Sequence, residues 1–243
     1  MDSGFYAACA GLVAKTKALD SVAHNLANVS TTAFKGQRVD FQALLAQSSG
    51  SGLSDVNQAI NDYGVATDPS LNFTQGSIES TGNPLDLAVE GPGLLTLKTA
   101  SGNAYTRNGH LQISSKGQLE TSDGVPVVGD QGPISLPPGT VSISSGGVIS
   151  VDGAIAANLK LVEFDNPNQL QETAPGVFVS TATPKAAKAS TVRQGALEAA
   201  NVNPVESTVG LITIQREAEM LQRALSLFHG DMNRVATTEL ARV

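Results

Sequence analysis

The chain has 243 residues, 41% of them hydrophobic, enough for one large domain or two modest ones with a real core. A net charge of −7, without any cluster of Lys and Arg, excludes a phosphate-backbone partner, so no nucleic acid is expected. Charged residues make up 15%, well below the roughly 25% of ordinary globular chains, and a surface so short of charge suits burial against neighbours.

No run of about 18 apolar residues occurs, so no membrane insertion is expected. Cys9 is the sole cysteine, which rules out an internal disulfide. Its setting, Tyr6-Ala7-Ala8-Cys9-Ala10-Gly11, has a faint likeness to a lipoprotein cleavage site. Asp2 stands where a basic segment should be, however, and the first basic residue is Lys15. Cys9 is better placed as a small buried hydrophobe. With no cleavable signal visible, the expected locations are the cytosol or a site reached by a route that keeps the N-terminus intact.

The first helix is expected from about Ser3 to Asn28. Phe5, Cys9, Leu12, Thr16, Leu19, Ala23 and Leu26 recur at alternating steps of four and three, a heptad pattern that holds one face against a partner helix. Asn25, Asn28, Ser30, Thr31 and Thr32 end it, because their short polar side chains compete for backbone hydrogen bonds. Residues 47–57 have the composition of a flexible linker. Leu53, Val56, Ile60, Tyr63 and Val65 leave open a second possibility, that residues 47–66 order against an adjacent subunit.

From about Leu71 the period changes to two. Leu85, Leu87 and Val89 alternate with polar neighbours. Leu95 and Leu97, Leu111 and Ile113, Val125 to Val128, Val141 and Ile143, Val148 to Val151, and Leu159 to Phe164 follow. Asn108-Gly109, Lys116-Gly117, Asp123-Gly124, Gly146-Gly147 and Asp152-Gly153 supply hairpin chemistry between them. Short strands with turns every ~8–12 residues predict an antiparallel β domain. Residues 181–193 look like an exit segment. A last helix is predicted to start near Pro204, capped by Asn203. Leu211, Ile214, Ala218, Leu221, Leu225, Phe228, Met232 and Val235 form one apolar stripe along it. Val205, Val209, Ile212, Met220, Ala224 and Leu227 form a second. Two stripes call for two neighbours, and the chain offers one other long helix.

Nothing in the sequence assembles a catalytic or metal site. His24, His110 and His229 are far apart, without a carboxylate or cysteine at metal spacing. Gly91-Pro92-Gly93 lacks the Gly-Lys-Ser of a nucleotide loop, and Pro92 removes an amide that would hold phosphate. Asp165-Asn166-Pro167-Asn168 lacks the Gly and closing Glu of a calcium loop. No Gly-x-Ser-x-Gly elbow occurs. No enzyme activity, cofactor, metal or small-molecule substrate is therefore expected.

Three blocks carry a resemblance. Asp20 to Lys35 contains Asn25-Leu26-Ala27-Asn28, then Thr31-Thr32-Ala33-Phe34-Lys35. Phe73 to Gly91 contains Phe73-Thr74-Gln75-Gly76 and Gly82-Asn83-Pro84-Leu85-Asp86-Leu87. It continues through Tyr105-Thr106-Arg107-Asn108-Gly109, Gly117-Gln118-Leu119 and Asp123 to Val127. The third block is Gly195 to Val205, with Glu198-Ala199-Ala200-Asn201-Val202-Asn203-Pro204. In order and spacing these closely resemble flagellar basal-body rod and hook proteins. The ending from Ile214 to Val235 is most similar to proximal-rod members, and the long 42–72 stretch to distal-rod members. One departure is Gly91-Pro92-Gly93-Leu94-Leu95, where the family usually has Gly-Asp-Gly and two phenylalanines.

The resemblance implies a structural subunit of the bacterial flagellar basal-body rod. It would lie in the periplasm, exported without a cleaved signal peptide, and would polymerise through its terminal helices to transmit motor torque. Its partners would be other rod subunits, proximal and distal, and copies of itself. The implied fold is α+β, with the N- and C-terminal helices paired as a coiled-coil-like unit and a central antiparallel β domain. The expected domains are a helical region at 1–46, a connecting segment at 47–70, a β-rich domain at 71–195 and a C-terminal helix at 196–243. The expected assembly interface is Phe5, Leu12, Leu19, Leu26, Asn25, Asn28, Phe34, Leu211, Ile214, Leu221, Leu225, Phe228 and Met232. Set against this is a soluble, non-flagellar β-domain binding module with helical flanks.

Overall fold

The computed structural model describes residues 2–38 and 70–240, with side chains for residues 8, 9, 11–38 and 70–227. Phe5, Phe228 and Met232 lie outside the described side chains, and the contact residues expected between 47 and 66 lie outside the described residues. The protein is α+β, and its described residues fall into two compact units. A helical unit holds residues 2–26, 37–38, 70 and 203–240, and a β unit holds 27–36 and 71–202.

The helical unit contains α1 (Asp2–Ala27) and α2 (Pro204–Leu240). Asn203 caps α2: its Oδ1 accepts from the amides of Val205 at 3.0 Å and Glu206 at 3.4 Å. Pro204 follows at the position where a missing N–H costs nothing, and Glu206 faces the positive end of the helix dipole. After α1, Asn28 accepts from the Thr31 amide (3.0 Å) and hydroxyl (3.4 Å), which turns the chain as the polar run predicted. Among the described side chains, two proximities relate the helices. Lys15 Nζ lies 2.7 Å from Glu217, and a Cβ at Gly11 would lie 3.6 Å from Leu221 Cδ1. Residue number rises along α1 as it falls along α2.

The β unit is built from short strands. In chain order they are β1 (Gln37–Arg38), β2 (Ser70–Leu71), β3 (Ile78–Ser80), β4 (Leu87–Glu90), β5 (Leu94–Thr99) and β6 (Gly102–Thr106). Next come β7 (Leu111–Ile113), β8 (Leu119–Thr121), β9 (Val128–Gly129), β10 (Gly132–Pro133), β11 (Val141–Ile143), β12 (Val148–Val151) and β13 (Ala154–Asn158). The last are β14 (Leu161–Glu163), β15 (Gln171–Ala174), β16 (Val177–Val179), β17 (Lys185–Ala186), β18 (Thr191–Gln194) and β19 (Ala196–Glu198). Of these, β1 and Ser70 belong to the helical unit. The largest sheet is antiparallel, in the order β15-β16-β6-β5-β14-β17. A three-stranded sheet runs β11-β12-β13, and β4 with β18, β3 with β19, and β7 with β8 pair antiparallel.

Strand β5 has apolar residues on both faces. Leu95 and Leu97 join the larger core with Leu87, Leu119, Val127 and Ile149. Leu94 joins a second core with Tyr105, Val162, Leu170 and Phe178. Phe73 packs edge-on against Phe178, with ring centroids 5.2 Å apart. The adjacent Leu94 and Leu95 thus serve two cores, one on each face of the sheet.

The turn chemistry holds in four of the five places. Gly117, Gly124 and Gly147 take φ of 76°, 77° and 83° at tight turns, and Asp152-Gly153 takes 50° and 86° between β12 and β13. Asn108-Gly109 differs: β6 and β7 do not pair with each other, and Gly109 is not among the positive-φ residues. A Cβ at Gly109 would lie 1.7 Å from the Leu87 carbonyl oxygen, so glycine is there to let two backbones meet. The expected exit segment 181–193 also differs. It contains β17 and leads into β18, whose four residues pair with β4 and bury Val192 to 4%. Its Ala, Thr and Lys content masks the period, because one buried side chain and a backbone ladder hold it.

Candidate assembly surfaces and their anchoring node

On α2 the two predicted stripes have different environments. Leu211, Ile214, Ala218, Leu221 and Leu225 are half-buried. Val205 and Leu227 are each 71% exposed, and Val209, Ile212 and Met220 are exposed with them. Ala224 is half-buried. On α1, Leu12, Leu19 and Leu26 are half-buried, but Thr16 and Ala23 are exposed. The most buried residues are Ala14, Ala18 and Ser21. These three lie two positions on from Leu12, Thr16 and Leu19, ~160° round the helix from the predicted heptad stripe. Small residues mark the buried face, and they leave no period of large apolar side chains in the sequence.

Asn25 and Asn28 bond to backbone and turn. Asn25 Nδ2 donates to the Gln37 carbonyl at 2.8 Å, and Oδ1 accepts from the Gln37 amide at 2.7 Å. Ser21 Oγ reaches the same carbonyl at 3.3 Å. Asn25 thus fixes where the chain goes after the turn. Phe34 is 2% exposed, inside the β unit.

The site that sequence reasoning missed surrounds Glu198. Lys35 Nζ donates to Glu198 Oε1 at 2.6 Å and to the Thr74 carbonyl at 2.9 Å. The Gly76 amide donates to the same Oε1 at 2.9 Å. Arg107 Nη1 approaches Oε2 at 3.4 Å and donates to the Val89 carbonyl at 2.9 Å, while Nη2 donates to Gly91. The Lys35 and Glu198 side chains are fully buried, and that of Arg107 is 3% exposed. Burial pushes the Lys35 ammonium below its ordinary range, against the pull of Glu198. Burial likewise lowers Arg107, opposed by the same carboxylate.

Neighbouring contacts extend this node. The Ala33 amide donates to the Glu198 carbonyl at 2.7 Å, and Ala33 adopts φ 56° to do so. Asn201 Nδ2 donates to the carbonyls of Asn72 and Thr74, and its Oδ1 accepts from the Gly36 amide. A Cβ at Gly76 would lie 2.1 Å from the Ala199 carbonyl oxygen, so glycine is required there. Segments 33–36, 72–76 and 198–201 are thus tied together. They overlap the three blocks quoted above, reaching one residue beyond two of them at Gly36 and Asn72, and a signal was available. Lys35 is the only Lys, Arg, Asp or Glu in 21–37, Arg107 in 99–115, and Glu198 in 194–205. Solitary charges in uncharged blocks are candidates for mutual burial.

A second polar cluster is local. Asp86 accepts from Thr81 Oγ1 at 2.7 Å and Asn83 Nδ2 at 3.0 Å, and His110 Nδ1 lies 2.9 Å from it. It orders the 81–86 turn and presents no nucleophile. Among the described residues no group of three His, Cys, Asp or Glu is placed to hold a metal.

Comparison with known proteins accounts for the same blocks. The flagellar hook protein FlgE/F/G D1 domain matches residues 88–156, and the flagellar basal body rod FlgEFG protein C-terminal region matches 193–234. The flagellar basal-body rod protein FlgF of Salmonella typhimurium is 33% identical over 93% of this chain and 94% of its own length. FlgF of Caulobacter vibrioides is 30% identical over the whole of both chains. FlgG of the same organism is 31% identical over 96% of this chain and 97% of its own. The chain belongs to the flagellar basal-body rod protein family.

Proposed function

We infer that this chain is a structural subunit of the bacterial flagellar basal-body rod, a part of the shaft that carries motor torque. The observation that carries this is the exposed stripe of α2, on a chain whose relatives are rod proteins from end to end. Val205, Val209, Ile212, Met220 and Leu227 lie on a helix that already half-buries another apolar stripe. Full burial of each such side chain contributes about 1.5–3 kcal/mol, so a neighbour that covered the stripe would be held firmly.

In this proposal α1 and α2 pair antiparallel in coiled-coil fashion, as the Gly11–Leu221 and Lys15–Glu217 contacts support. The pair forms the polymerising part, and Leu12, Leu19, Leu26, Leu211, Ile214, Leu221 and Leu225 belong to its seams, with Phe5, Phe228 and Met232 continuing them. Other rod subunits and further copies are the partners, and the subunit acts at the basal body in the periplasm, exported with its N-terminus intact. The domains proposed are 1–46, 47–70, 71–195 and 196–243. The chain is proposed to have no catalytic role. FlgF and FlgG relatives match at similar identity, so identity alone does not choose between them. The family-typical ending from Ile214 to Val235 favours the proximal rod.

The test is complementation in a flagellated strain that lacks its own copy of this chain. Isolated basal bodies should contain the protein in the rod, and motility should return with the wild-type chain. Normal rods and motility without the chain would refute the proposal and favour the non-flagellar binding module.

A further inference from the structure

Strand β13, Ala154–Asn158, ends the three-stranded sheet and has neither charge nor proline. Open edges are ordinarily guarded by charge, proline or cover, because unpaired backbone groups recruit another strand. Here the one irregularity is the extra residue Ala156 in the pairing with β12, which bends the strand without covering it. Ile155, at 76%, is the most exposed large apolar side chain among the described residues.

A slot runs beside this edge. Residues 155–158 form one wall and residues 129–135, which include the β9–β10 hairpin, form the other. The Asp130 amide donates to the Asn158 carbonyl at 3.2 Å and closes one end. The Asp130 carboxylate is at the exposed rim and has no partner among the described residues.

The same unit has a second sheet edge, and this one carries the proline and lysines that β13 lacks. β17 ends the six-stranded sheet, within the run Pro184-Lys185-Ala186-Ala187-Lys188-Ala189. Lys185 is 2.6 Å from Asp165, whereas Lys188 is exposed and has no partner among the described residues.

We propose that the β13 edge of one copy takes residues 184–189 of the next copy as an added strand, with Lys188 of the incoming strand meeting Asp130. Main-chain hydrogen bonds supply affinity, and the charge pair and Ile155 set register. The two edges differ, so the contact is head-to-tail and repeats without closing on itself. This rests on the rod proposal, which supplies the neighbouring copy.

The test uses full-length chains in a Cys9→Ala background, one bearing Asp130→Cys and the other Lys188→Cys, co-expressed in cells that build rods. Oxidation should give a disulfide-linked dimer containing one of each chain. In the Cys9-containing wild type, Asp130→Lys or Lys188→Asp alone should lower rod yield several-fold, and the two in one chain should restore it. Rods that form without the mixed dimer would overturn the inference and leave the rod proposal standing. So would a dimer of Asp130→Cys chains alone, a link from that cysteine to a different protein, or wild-type yield from both single charge reversals. Failure of the wild-type chain to enter rods would overturn the rod proposal and this inference together.

Discussion

In the β unit, side chains as large as Leu95, Phe178 and Lys35 are at most 1% exposed, whereas on α2 Val205 and Leu227 are each 71% exposed. The β unit pairs even its buried charges internally, Lys35 and Arg107 with Glu198. The helical unit leaves apolar surface in water, and among its described residues α1 and α2 meet at a partly exposed ion pair, Lys15–Glu217, and where Gly11 lies beside Leu221. The difference fits the proposed division between a part completed by its own chain and a part that neighbouring subunits would complete.

The largest effect that would test this comparison is on assembly. Leu221→Asp or Leu225→Asp should abolish incorporation into rods and motility, while the melting of the β unit is unchanged. A carboxylate there must be desolvated without a partner or take up a proton. Motility at the wild-type level with either substitution would break the division.

Next in size is the node. Glu198→Gln should destabilise the β unit by about 3–5 kcal/mol, because two buried cations lose their counterion. Denaturant unfolding followed in the β unit measures this, and a change below about 1 kcal/mol would mean that water reaches the site. Replacing Lys35, Arg107 and Glu198 together by apolar residues should recover much of the loss.

A smaller effect separates the two stripes of α2. Val209→Ser with Met220→Gln should leave monomer unfolding within about 0.5 kcal/mol, as for ordinary surface changes, yet reduce rod yield. A matching loss in the monomer would show that the second stripe is covered by its own chain.

The smallest is a pH dependence. Lys35 has its pKa lowered by burial from 10.5, so between the folded value and 10.5 the unfolded chain holds more protons than the folded one. Stability of the β unit should therefore rise with pH across that window, and the penalty of the buried ammonium should be fully present below it. The rise should be missing from Lys35→Met, so unfolding midpoints of the two proteins between pH 7 and 10.5 should diverge. Parallel curves would mean that Lys35 titrates as if exposed.

The sequence by itself determined both helices, the Asn203 cap, the change of period near Leu71, four of the five hairpin turns, the second stripe of α2 and the family. Each is written in residues close together along the chain, as a period, a cap or a glycine with positive φ. The tertiary structure alone decided which face of α1 is buried, because Ala14, Ala18 and Ser21 are small and leave no hydrophobic period. It alone made Gly109 a crossing point, since the obstacle is Leu87, a residue remote in sequence. It gave Lys35, Arg107 and Glu198 their meaning for the same reason. A lone charge looks like solvated surface until the fold brings three of them, up to 163 positions apart, into one dry place where each is tolerable only beside the others.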